Sequence, residues 1–516
     1  MKEVRIFKIF LGIFIILSLL SVTISGAAEQ ESTNLFDYVT TLQSPTPSQG
    51  GVFGGDMALS GNWLLVGETG AQVGNTSGAG RAYLFDTDWN LIANFTQNTP
   101  LTGAMFSRSV DIKGDILVVG SPRADVENFP EAGEVQVYDT SGTLLYTLQS
   151  TQPMPKTKFG REVAIGNGVI LMGHCPANAF KGTIAVFDLE QNYLTTLTGE
   201  STLSIAGEEL AANDEFILIG GTTIYGSVYV FDYDWNHVIT LQPLENDAKT
   251  GYGGCISISG NHFVVGEPGA TVNEYDDAGR AYVYDTDWSL LTTLESPSPE
   301  ADAEFGIDVS IAGDLVVVGE GKGDVTNGDE GKVYVFDLDG NLLDTIVSPE
   351  PTTGAEFGYS VLTNGELLII SEIGATVNGT STAGKVHVFR TSGAYQPPLM
   401  AVFELSNLVI EPESVDAGKD VAISVDVGNV GTASGTNPVK LMINGDLAEE
   451  ESVTVEAGLS EKITFTYQTD VEGTYNVKIG DLEGSFTVTK PLPGFPLMVI
   501  VLGLILVAII ITKRNQ

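Results

Sequence analysis

Residues 305–347 read FGIDVSIAGDLVVVGEGKGDVTNGDEGKVYVFDLDGNLLDTIV, and this stretch decides the fold. It opens with the pair Phe305-Gly306, continues as an alternating run that turns at Gly313-Asp314, and then enters the apolar run 315–318. A Gly-rich acidic loop, another apolar run and a tight turn lead into a last short apolar run. Short runs of this kind, separated by Gly, Asp and Asn turns, predict four antiparallel strands and almost no helix.

The opening pair, or a near relative of it, returns at intervals of 46 to 53 residues. We call its first residue the anchor; the seven pairs are Phe53-Gly54, Phe106-Ser107, Phe159-Gly160, Ala206-Gly207, Tyr252-Gly253, Phe305-Gly306 and Phe357-Gly358. A small four-stranded sheet cannot bury both of its faces alone, so repeated copies stack radially as the blades of a β-propeller. The sequence therefore predicts an all-β chain with a seven-bladed propeller over residues 35–391.

The seventh copy lacks its fourth strand. After Lys385–Arg390 the chain reaches Pro397-Pro398 without a further apolar run. A matching segment stands before the first anchor instead, because residues 38–45 (YVTTLQSP) resemble residues 290–297 (LLTTLESP) of the fifth copy. The N-terminal strand is therefore expected to complete the last blade, which closes the ring and covers two free sheet edges.

Charge restricts the partners of this protein. The chain has 516 residues, with 24 Lys and Arg against 66 Asp and Glu, a formal net charge of -42 and a pI near 4.1. Such a surface repels nucleic acid and other anionic polymers, and it favours cations, basic partners or surroundings of high salt. Solubility at a crowded cell surface is the alternative explanation.

Both ends carry membrane signals. Basic residues precede the apolar run Ile9–Ile24, and small residues follow, which predicts a secretory signal peptide over 1–27, with an uncleaved anchor as the alternative. The uncharged run Phe495–Ile511 precedes Lys513-Arg514, which predicts a transmembrane helix over 493–512 and a cytoplasmic tail over 513–516. The expected product is a single-pass membrane protein whose mass lies almost entirely outside the cell.

A second domain is expected after a linker at 392–400. Residues 401–490 show about seven short alternating strands between turns, a pattern typical of an immunoglobulin-like β-sandwich. The phrases Gly428–Gly435, Ile443-Asn444-Gly445 and Gly473-Thr474-Tyr475 resemble the CARDB family, an adhesion-related module of prokaryotic surface proteins. The resemblance implies a stalk or adhesive spacer without catalysis.

The propeller resembles the FG-GAP repeat of integrin α-subunit heads and of many bacterial and archaeal surface proteins. The anchors, Val265–Ala270 (VGEPGA) and Ala278–Tyr284 (AGRAYVY) carry this resemblance. Integrin-type blades hold calcium between their first two strands, where this chain has only short turns such as Ser60-Gly61-Asn62. Such turns offer too few oxygens, so no metal or other cofactor is expected; the acidic composition leaves calcium open elsewhere.

The C-terminal segment resembles a sorting signal of archaeal surface proteins. Its elements are Pro493-Gly494-Phe495, the apolar run and the basic tail. In that family the segment is cut and replaced by a lipid. The resemblance therefore implies that the protein is anchored at the membrane, either by the retained helix or by a lipid.

The long loops form the predicted ligand-binding face. Loops joining the second strand to the third and the fourth to the next first strand should share one face, and binding residues usually lie on loops held by a rigid scaffold. Simple solvated loops are the alternative. The candidate residues are Asp125, Glu127, Phe129, Glu274, Tyr275, Asp276, Asp277, Asp324, Asp329 and Glu330.

Four carboxylates occupy one equivalent position, three residues after an anchor, in the innermost strands. They are Asp56, Glu162, Glu209 and Asp308. These side chains are candidates for a ring around the central channel, and local hydrogen bonding is the alternative, because buried carboxylates need partners. Three triplets fit the N-glycosylation pattern, and their asparagines are expected acceptors outside the cell: Asn75, Asn94 and Asn378.

Nothing in the sequence assembles a catalytic set. The four histidines are scattered over different copies, and Cys175 and Cys255 lie in non-adjacent copies, so two isolated thiols are expected rather than a disulfide. We therefore expect a non-enzymatic adhesion or recognition protein that binds extracellular protein or glycan. The alternatives are an extracellular carbohydrate-active enzyme that uses the channel carboxylates and a structural component of a surface layer.

Overall fold

The computed structural model describes residues 34–174, 182–198, 209–221, 226–243, 250–326, 328–392, 403–429, 434–456, 458–480 and 482–490. The chain divides into two compact units, with the boundary between residues 397 and 398. The expected signal peptide, the Pro493-Gly494-Phe495 motif, the membrane helix and the tail lie outside the described residues. Within the described ranges, no helix is long and apolar enough to cross a bilayer.

The first unit consists of seven four-stranded antiparallel sheets. Its strands in chain order are β1 (Phe36–Gln43), β2 (Phe53–Ser60), β3 (Trp63–Glu68), β4 (Arg81–Asp86), β5 (Leu91–Phe95), β6 (Val110–Lys113), β7 (Ile116–Ser121), β8 (Glu134–Asp139), β9 (Leu144–Gln149), β10 (Val163–Gly166), β11 (Val169–His174), β12 (Thr183–Asp188), β13 (Tyr193–Leu197), β14 (Glu209–Ala212), β15 (Phe216–Gly221), β16 (Ser227–Asp232), β17 (His237–Leu241), β18 (Ile256–Ser259), β19 (His262–Glu267), β20 (Arg280–Asp285), β21 (Leu290–Glu295), β22 (Phe305–Ala312), β23 (Leu315–Glu320), β24 (Lys332–Phe336), β25 (Leu342–Val347), β26 (Phe357–Thr363), β27 (Leu367–Glu372) and β28 (Lys385–Thr391).

The sheets form a closed ring of blades. Blades one to six take four consecutive strands each, from β2–β5 through β22–β25. The first strand of every blade contacts the first strand of the next, in the order β2, β6, β10, β14, β18, β22, β26 and back to β2. The expected seven-bladed propeller is confirmed.

The seventh blade combines both ends of the propeller sequence. Its strand order is β26, β27, β28 and β1, and β1 runs antiparallel to β28 with Phe36 opposite Thr391 and Gln43 opposite Lys385. Phe36 and Leu42 are buried there. The N-terminal strand therefore closes the ring, as the missing strand of the seventh copy predicted.

Apolar cores lie between neighbouring blades, and the anchors fill them. The core between blades one and two joins Leu65 and Leu84 to Phe106 and Leu117, all of which are buried. The phenylalanine anchors Phe53, Phe106, Phe159, Phe305 and Phe357 have no exposed surface. Burying a phenylalanine side chain stabilises the fold by about 1.5 to 3 kcal/mol, which explains why a large apolar anchor suits almost every copy.

A buried carboxylate ends the second strand of four blades. Glu68 accepts a hydrogen bond of 2.7 Å from the Tyr83 hydroxyl, and Glu320 accepts one of 2.9 Å from Tyr334. In blade seven, Nε2 of His387 lies 2.8 Å from Glu372. Each pair ties the second strand to the third, since a buried carboxylate is stable only with polar partners.

The second unit is a two-sheet β-sandwich. One sheet has the order β29 (Phe403–Glu411), β31 (Asp420–Asn429), β34 (Ser460–Gln468). The other has the order β30 (Ser414–Asp416), β36 (Leu482–Thr489), β35 (Gly473–Ile479), β32 (Gly435–Ile443), β33 (Asp446–Val455), and β30 pairs with β36 in parallel. It thus has eight strands, one more than the sequence suggested, because β30 is only three residues long.

Alternation along the strands explains the sandwich core. In β31 the residues Val421, Ile423, Val425 and Val427 are buried, while the residues between them are more exposed. They pack against buried residues of the other sheet, including Phe486. Alternating strands of this kind bury one face of each sheet, which confirms the expected sandwich.

Candidate functional site

The two sets of long loops lie on one face of the propeller, which we call the long-loop face. In blades one, two, five, six and seven, whose loops the structure describes, the loop after the second strand pairs with the connection that leads into the next anchor. The Phe106 amide donates to the Ala79 carbonyl (3.0 Å), and the Phe305 amide donates to Ala278 (2.9 Å). The Phe53 amide donates to Ala383 in the same way across the ring closure. Backbone bonds therefore hold the loops in a fixed arrangement.

A small turn stiffens several of these loops. In blade two, Val126 and Phe129 exchange backbone hydrogen bonds, and blade five repeats this between Val272 and Tyr275. Val126 and Val272 are buried beneath their turns. The turns thus raise the residues between them above a packed base, so side chains at the loop tips point to solvent.

The structure places the ten predicted ligand-binding residues in three loops of this face. Most of them are exposed, and Tyr275 exposes 45% of its surface, whereas Phe129 and Asp324 are half-buried and Glu330 is buried. Residues 274–277 of blade five form one cluster, and the Asp276 and Asp277 carbonyls accept bonds from the connection to blade six. Blade two lies three blades away, so its candidates do not join that cluster.

Glu330 and Asp324 organise their own loop. The Glu330 carboxylate accepts hydrogen bonds from the Thr326 hydroxyl, the Val325 amide (3.0 Å) and the Thr326 amide (3.3 Å). These bonds, the Thr326 hydroxyl first, lower the pKa of Glu330 to about 2. Asp324 accepts bonds from the Gly328 and Asp329 amides (2.7 and 2.9 Å). Both carboxylates are engaged in shaping the loop that displays Asp329.

The four channel candidates stand in or directly before the innermost strands, which form a ring, and two of them bond one blade to the next. Asp56 Oδ2 accepts a hydrogen bond of 2.7 Å from the Val110 amide of blade two, and Asp308 Oδ2 accepts one of 2.7 Å from the Val361 amide of blade seven. At the equivalent position Ser109 Oγ accepts from Val163, and Cys255 Sγ accepts from Val309. The alternative of hydrogen bonding therefore describes Asp56 and Asp308, and Ser109 and Cys255 belong to the ring although they are not among the predicted residues.

Burial perturbs the acids of this ring. It raises the pKa of Asp56 to about 6 and that of Glu162 to about 8, and it also raises the pKa values of Glu209 and Asp308. The neighbouring Asp111 accepts bonds from Ile165 and Ile112, yet burial still raises its pKa to about 7. Surrounding protein disfavours the charged form of each carboxyl.

We expect the unfolding free energy to fall as the pH rises from about 4 to about 8. Unfolded carboxyls lose their protons near their usual pKa values, whereas Asp56, Asp111 and Glu162 keep theirs up to pKa values of about 6, 7 and 8. The folded state binds more protons in this window, so its stability decreases as the pH passes through the folded pKa values. Urea unfolding at several pH values measures the slope.

Asp56→Asn should reduce the slope of unfolding free energy against pH, because an asparagine side chain does not titrate. Its side-chain oxygen can still accept the hydrogen bond from the Val110 amide. Asp86→Asn is the control: its carboxylate is half-buried, and hydrogen bonds from Asn90, the side chain first, lower its pKa, so it titrates below the window. A slope that Asp56→Asn leaves unchanged would contradict the assignment of raised pKa values to this ring.

A basic cavity opens on the long-loop face between blades two and three. Its volume is about 160 Å³, and its lining includes the apolar residues Met105 and Pro122. The four charged residues that line it are Arg108, Arg123, Lys158 and Arg161. Arg108 and Arg161 stand two residues after their anchors, Arg123 follows the end of β7, and Lys158 precedes the third anchor. Two consecutive blades therefore supply the cavity.

Three carboxyls interact with Arg108 in this group of cations, Glu162 most strongly and then Asp56 and Glu209. Nη1 of Arg108 lies 3.7 Å from Oε1 of Glu162, which raises the pKa of Arg108, whereas burial outweighs that attraction and raises the pKa of Glu162. The cavity is not among the sites predicted from the sequence. An arginine at the second position after two successive anchors is the signal that could have found it, since the corresponding residues in blades one, five, six and seven are Gly55, Gly254, Ile307 and Tyr359.

The remaining candidates occupy separate places. Asn75, Asn94 and Asn378 are all exposed, so each glycosylation triplet is accessible. Cys255 is a buried free thiol, and Cys175 lies outside the described residues. In the part of the chain that the structure describes, no group of three or more His, Cys, Asp or Glu side chains is arranged to hold a metal ion.

Comparisons with known proteins agree with this architecture. The family described as FG-GAP repeat matches residues 89–138 and 288–336, each of which runs from the fourth strand of one blade to the third strand of the next, and the CARDB family matches residues 400–480. No curated protein matches the sequence.

A solved structure also resembles the chain. The crystal structure of Chaetomium thermophilum Raptor matches with a TM-score of 0.46 and 12% sequence identity, over 70% of this chain and 30% of that chain. This chain thus spans less than a third of the Raptor chain, and nothing about function follows from so distant a likeness. The two family matches are more informative: the chain carries FG-GAP repeats in its propeller and a CARDB domain after it. These domains suggest an extracellular surface or recognition protein.

Proposed function

We propose that this protein is a cell-surface adhesion or recognition protein that binds extracellular protein or glycan through the long-loop face. The observation that carries the proposal is the loop arrangement itself. Backbone bonds tie the long loops of blades one, two, five, six and seven to the next blade, and exposed acidic residues and Tyr275 stand on that fixed base. Loops held by a rigid scaffold are the usual location of binding residues.

Tyr275 is the strongest single contact candidate. Its ring is 45% exposed at the tip of the blade-five loop, with Glu274, Asp276 and Asp277 beside it. Tyrosine combines a large apolar face with a polar hydroxyl, and such residues often dominate binding energy at protein and glycan interfaces.

The proposed activity is binding without a cofactor, rather than catalysis. The ring carboxylates that an enzyme would use include Asp56 and Asp308, which already accept backbone hydrogen bonds between blades. A carboxylate held in this way stabilises the ring, and moving it toward a substrate would leave a buried amide without a partner. This observation favours recognition over the carbohydrate-active alternative.

The FG-GAP and CARDB domains support a location outside the cell. We further propose that the C-terminal segment 493–512, or a lipid that replaces it, anchors the protein, and that the segment 1–27 directs its export. The CARDB domain would then serve as the spacer between membrane and propeller. Three exposed glycosylation triplets are compatible with that location.

Tyr275→Ala should weaken binding of the full-length chain to its best ligand on an array of glycans and extracellular proteins by about thirtyfold or more. Losing an exposed aromatic contact at the centre of an interface costs about 2 kcal/mol or more. Since the side chain projects from a turn, the melting temperature should stay within about 1 °C of the wild type.

Tyr193→Ala is the matched control, because this tyrosine is also 45% exposed but lies on the outer strand β13. It should leave array binding unchanged. If binding survives both Tyr275→Ala and replacement of residues 273–277 by glycine and serine, while Tyr193→Ala abolishes it, the ligand uses the circumference of the propeller and the proposal is wrong.

A further inference from the structure

We propose that the basic cavity between blades two and three binds the carboxylate of a single acidic sugar residue in a glycan ligand. This inference rests on the proposed recognition function and names the ligand chemistry for one part of the long-loop face. The residues that would contact the carboxylate are Arg108, Arg123, Lys158 and Arg161.

The cavity reverses the charge of its surroundings. The chain has only 24 Lys and Arg, and four of them line this cavity of about 160 Å³. Among the described residues, no carboxylate pairs with the side chains of Arg123 or Lys158. Arg108 and Arg161 each have interactions of their own, but Arg123 and Lys158 hold two positive charges beside them without a carboxylate partner in the described residues, and such a pair is expected to serve an anionic ligand.

Glu162 approaches Arg108 without a hydrogen bond. Nη1 of Arg108 and Oε1 of Glu162 are 3.7 Å apart, and burial raises the pKa of Glu162, which disfavours its charged form. The arginine side chain of Arg108 remains 37% exposed. Its guanidinium therefore keeps donors for a ligand.

The shape and lining favour a sugar over a bare inorganic anion. A planar guanidinium matches a carboxylate in a two-bond fork, and two arginines and a lysine can surround one such group. Met105 and Pro122 add apolar surface that can cover the C–H face of a sugar ring. An isolated sulfate or phosphate would gain nothing from those two residues.

Acidic residues in the loop that follows Arg123 disfavour a ligand with a second anionic group. Arg123 is followed in its loop by Asp125 and Glu127, both exposed. These carboxylates can accept hydrogen bonds from sugar hydroxyls, but they repel a second anionic group, as does the net charge of -42. A sugar with one carboxylate among neutral neighbours therefore fits better than an acidic peptide or a densely charged polysaccharide.

Methyl glucuronide is the test ligand, with neutral methyl glucoside as its matched comparison. By calorimetry, the full-length chain should bind the glucuronide and show no measurable affinity for the glucoside. Arg123→Gln and Lys158→Gln should each weaken glucuronide binding by about ten- to hundredfold, the value of one charge-assisted hydrogen bond. Neither side chain is buried, so both variants should fold.

Arg390→Gln removes the same charge from an exposed position on β28 and should leave glucuronide affinity unchanged. The inference is overturned if Arg123→Gln and Lys158→Gln bind the glucuronide as the wild type does. It is also overturned if glucose 6-sulfate or a poly-glutamate peptide binds at these residues more tightly than the glucuronide.

The array experiment separates this inference from the function on which it rests. Should the wild-type chain bind a neutral glycan or a protein through Tyr275 and show no affinity for methyl glucuronide, the acidic-sugar assignment is wrong while recognition by the long-loop face stands. Should the glucuronide bind at Arg123 while no extracellular ligand depends on the loops, the cavity stands and the wider function is wrong.

Discussion

A full-length chain that lacks residues 34–43 should lose its cooperative thermal transition and aggregate. The deletion removes β1, whose residues Phe36 and Leu42 are buried, and it exposes the edge of β28. Burial of two large apolar side chains contributes about 3 to 6 kcal/mol, before any ladder hydrogen bonds are counted. That is a large part of the 5 to 15 kcal/mol typical of a whole domain, so most of the protein should fail to hold a closed ring.

The control begins at Asn34 and keeps the strand, so it should melt as the propeller of the full-length chain does. Circular dichroism during heating and light scattering measure both variants. A synthetic peptide of residues 34–43, added in excess, should restore part of the transition, since it can pair with β28. An unchanged melting temperature after the deletion would show that β1 does not close the ring.

Gly279→Ala should destabilise the propeller by at least about 3 kcal/mol. Gly279 has a φ of +90°, a conformation that costs a residue with a side chain about 1 to 2 kcal/mol. A Cβ atom there would also overlap the backbone of the next anchor, Phe305, with which Gly279 forms a bridge. Overlap with backbone cannot be relieved by a rotamer change, so the seam between blades five and six must open.

Gly260→Ala separates the two causes. Gly260 lies in the same blade with a φ of +55°, but nothing lies within 4 Å of the position that a Cβ would take. The unfolding free energy of Gly260→Ala should therefore fall by only about 1 kcal/mol, the cost of backbone strain alone. Urea unfolding of both variants gives the comparison, and equal losses would contradict the close contact between Gly279 and Phe305.

The sequence predicts the blades well because each copy repeats the same physical requirement. An anchor such as Phe106 must fill the space between two sheets, and a turn must reverse the chain between two apolar runs. Seven copies make these requirements visible, and the unpaired match of residues 38–45 reveals the closure. These predictions can be made without knowing which residues far apart in the chain lie close together in the fold.

The site is harder to predict, because it depends on such distances. The basic cavity gathers residues 108, 123, 158 and 161 from two blades, and nothing in the net charge of -42 suggests it. Spacing did identify the ring position of Asp56 and Asp308. It did not show that Ser109 and Cys255 accept the same inter-blade bond, because a hydroxyl, a thiol and a carboxylate share only their ability to accept.

A double-cysteine variant, Asp37→Cys with Arg390→Cys, tests most directly that the N-terminal strand closes the seven-bladed ring. The two positions are partners across β1 and β28, and both are exposed. Paired residues of antiparallel strands have Cα atoms about 4.5 to 5.5 Å apart, within the range of a disulfide. Mild oxidation should therefore link the two peptides within one monomeric chain, whereas Asp37→Cys with Lys113→Cys, which places the second thiol in blade two, should stay reduced. Free thiols or cross-linked dimers in the first variant, or an equal yield in both, would contradict the closed ring and the long-loop face built on it.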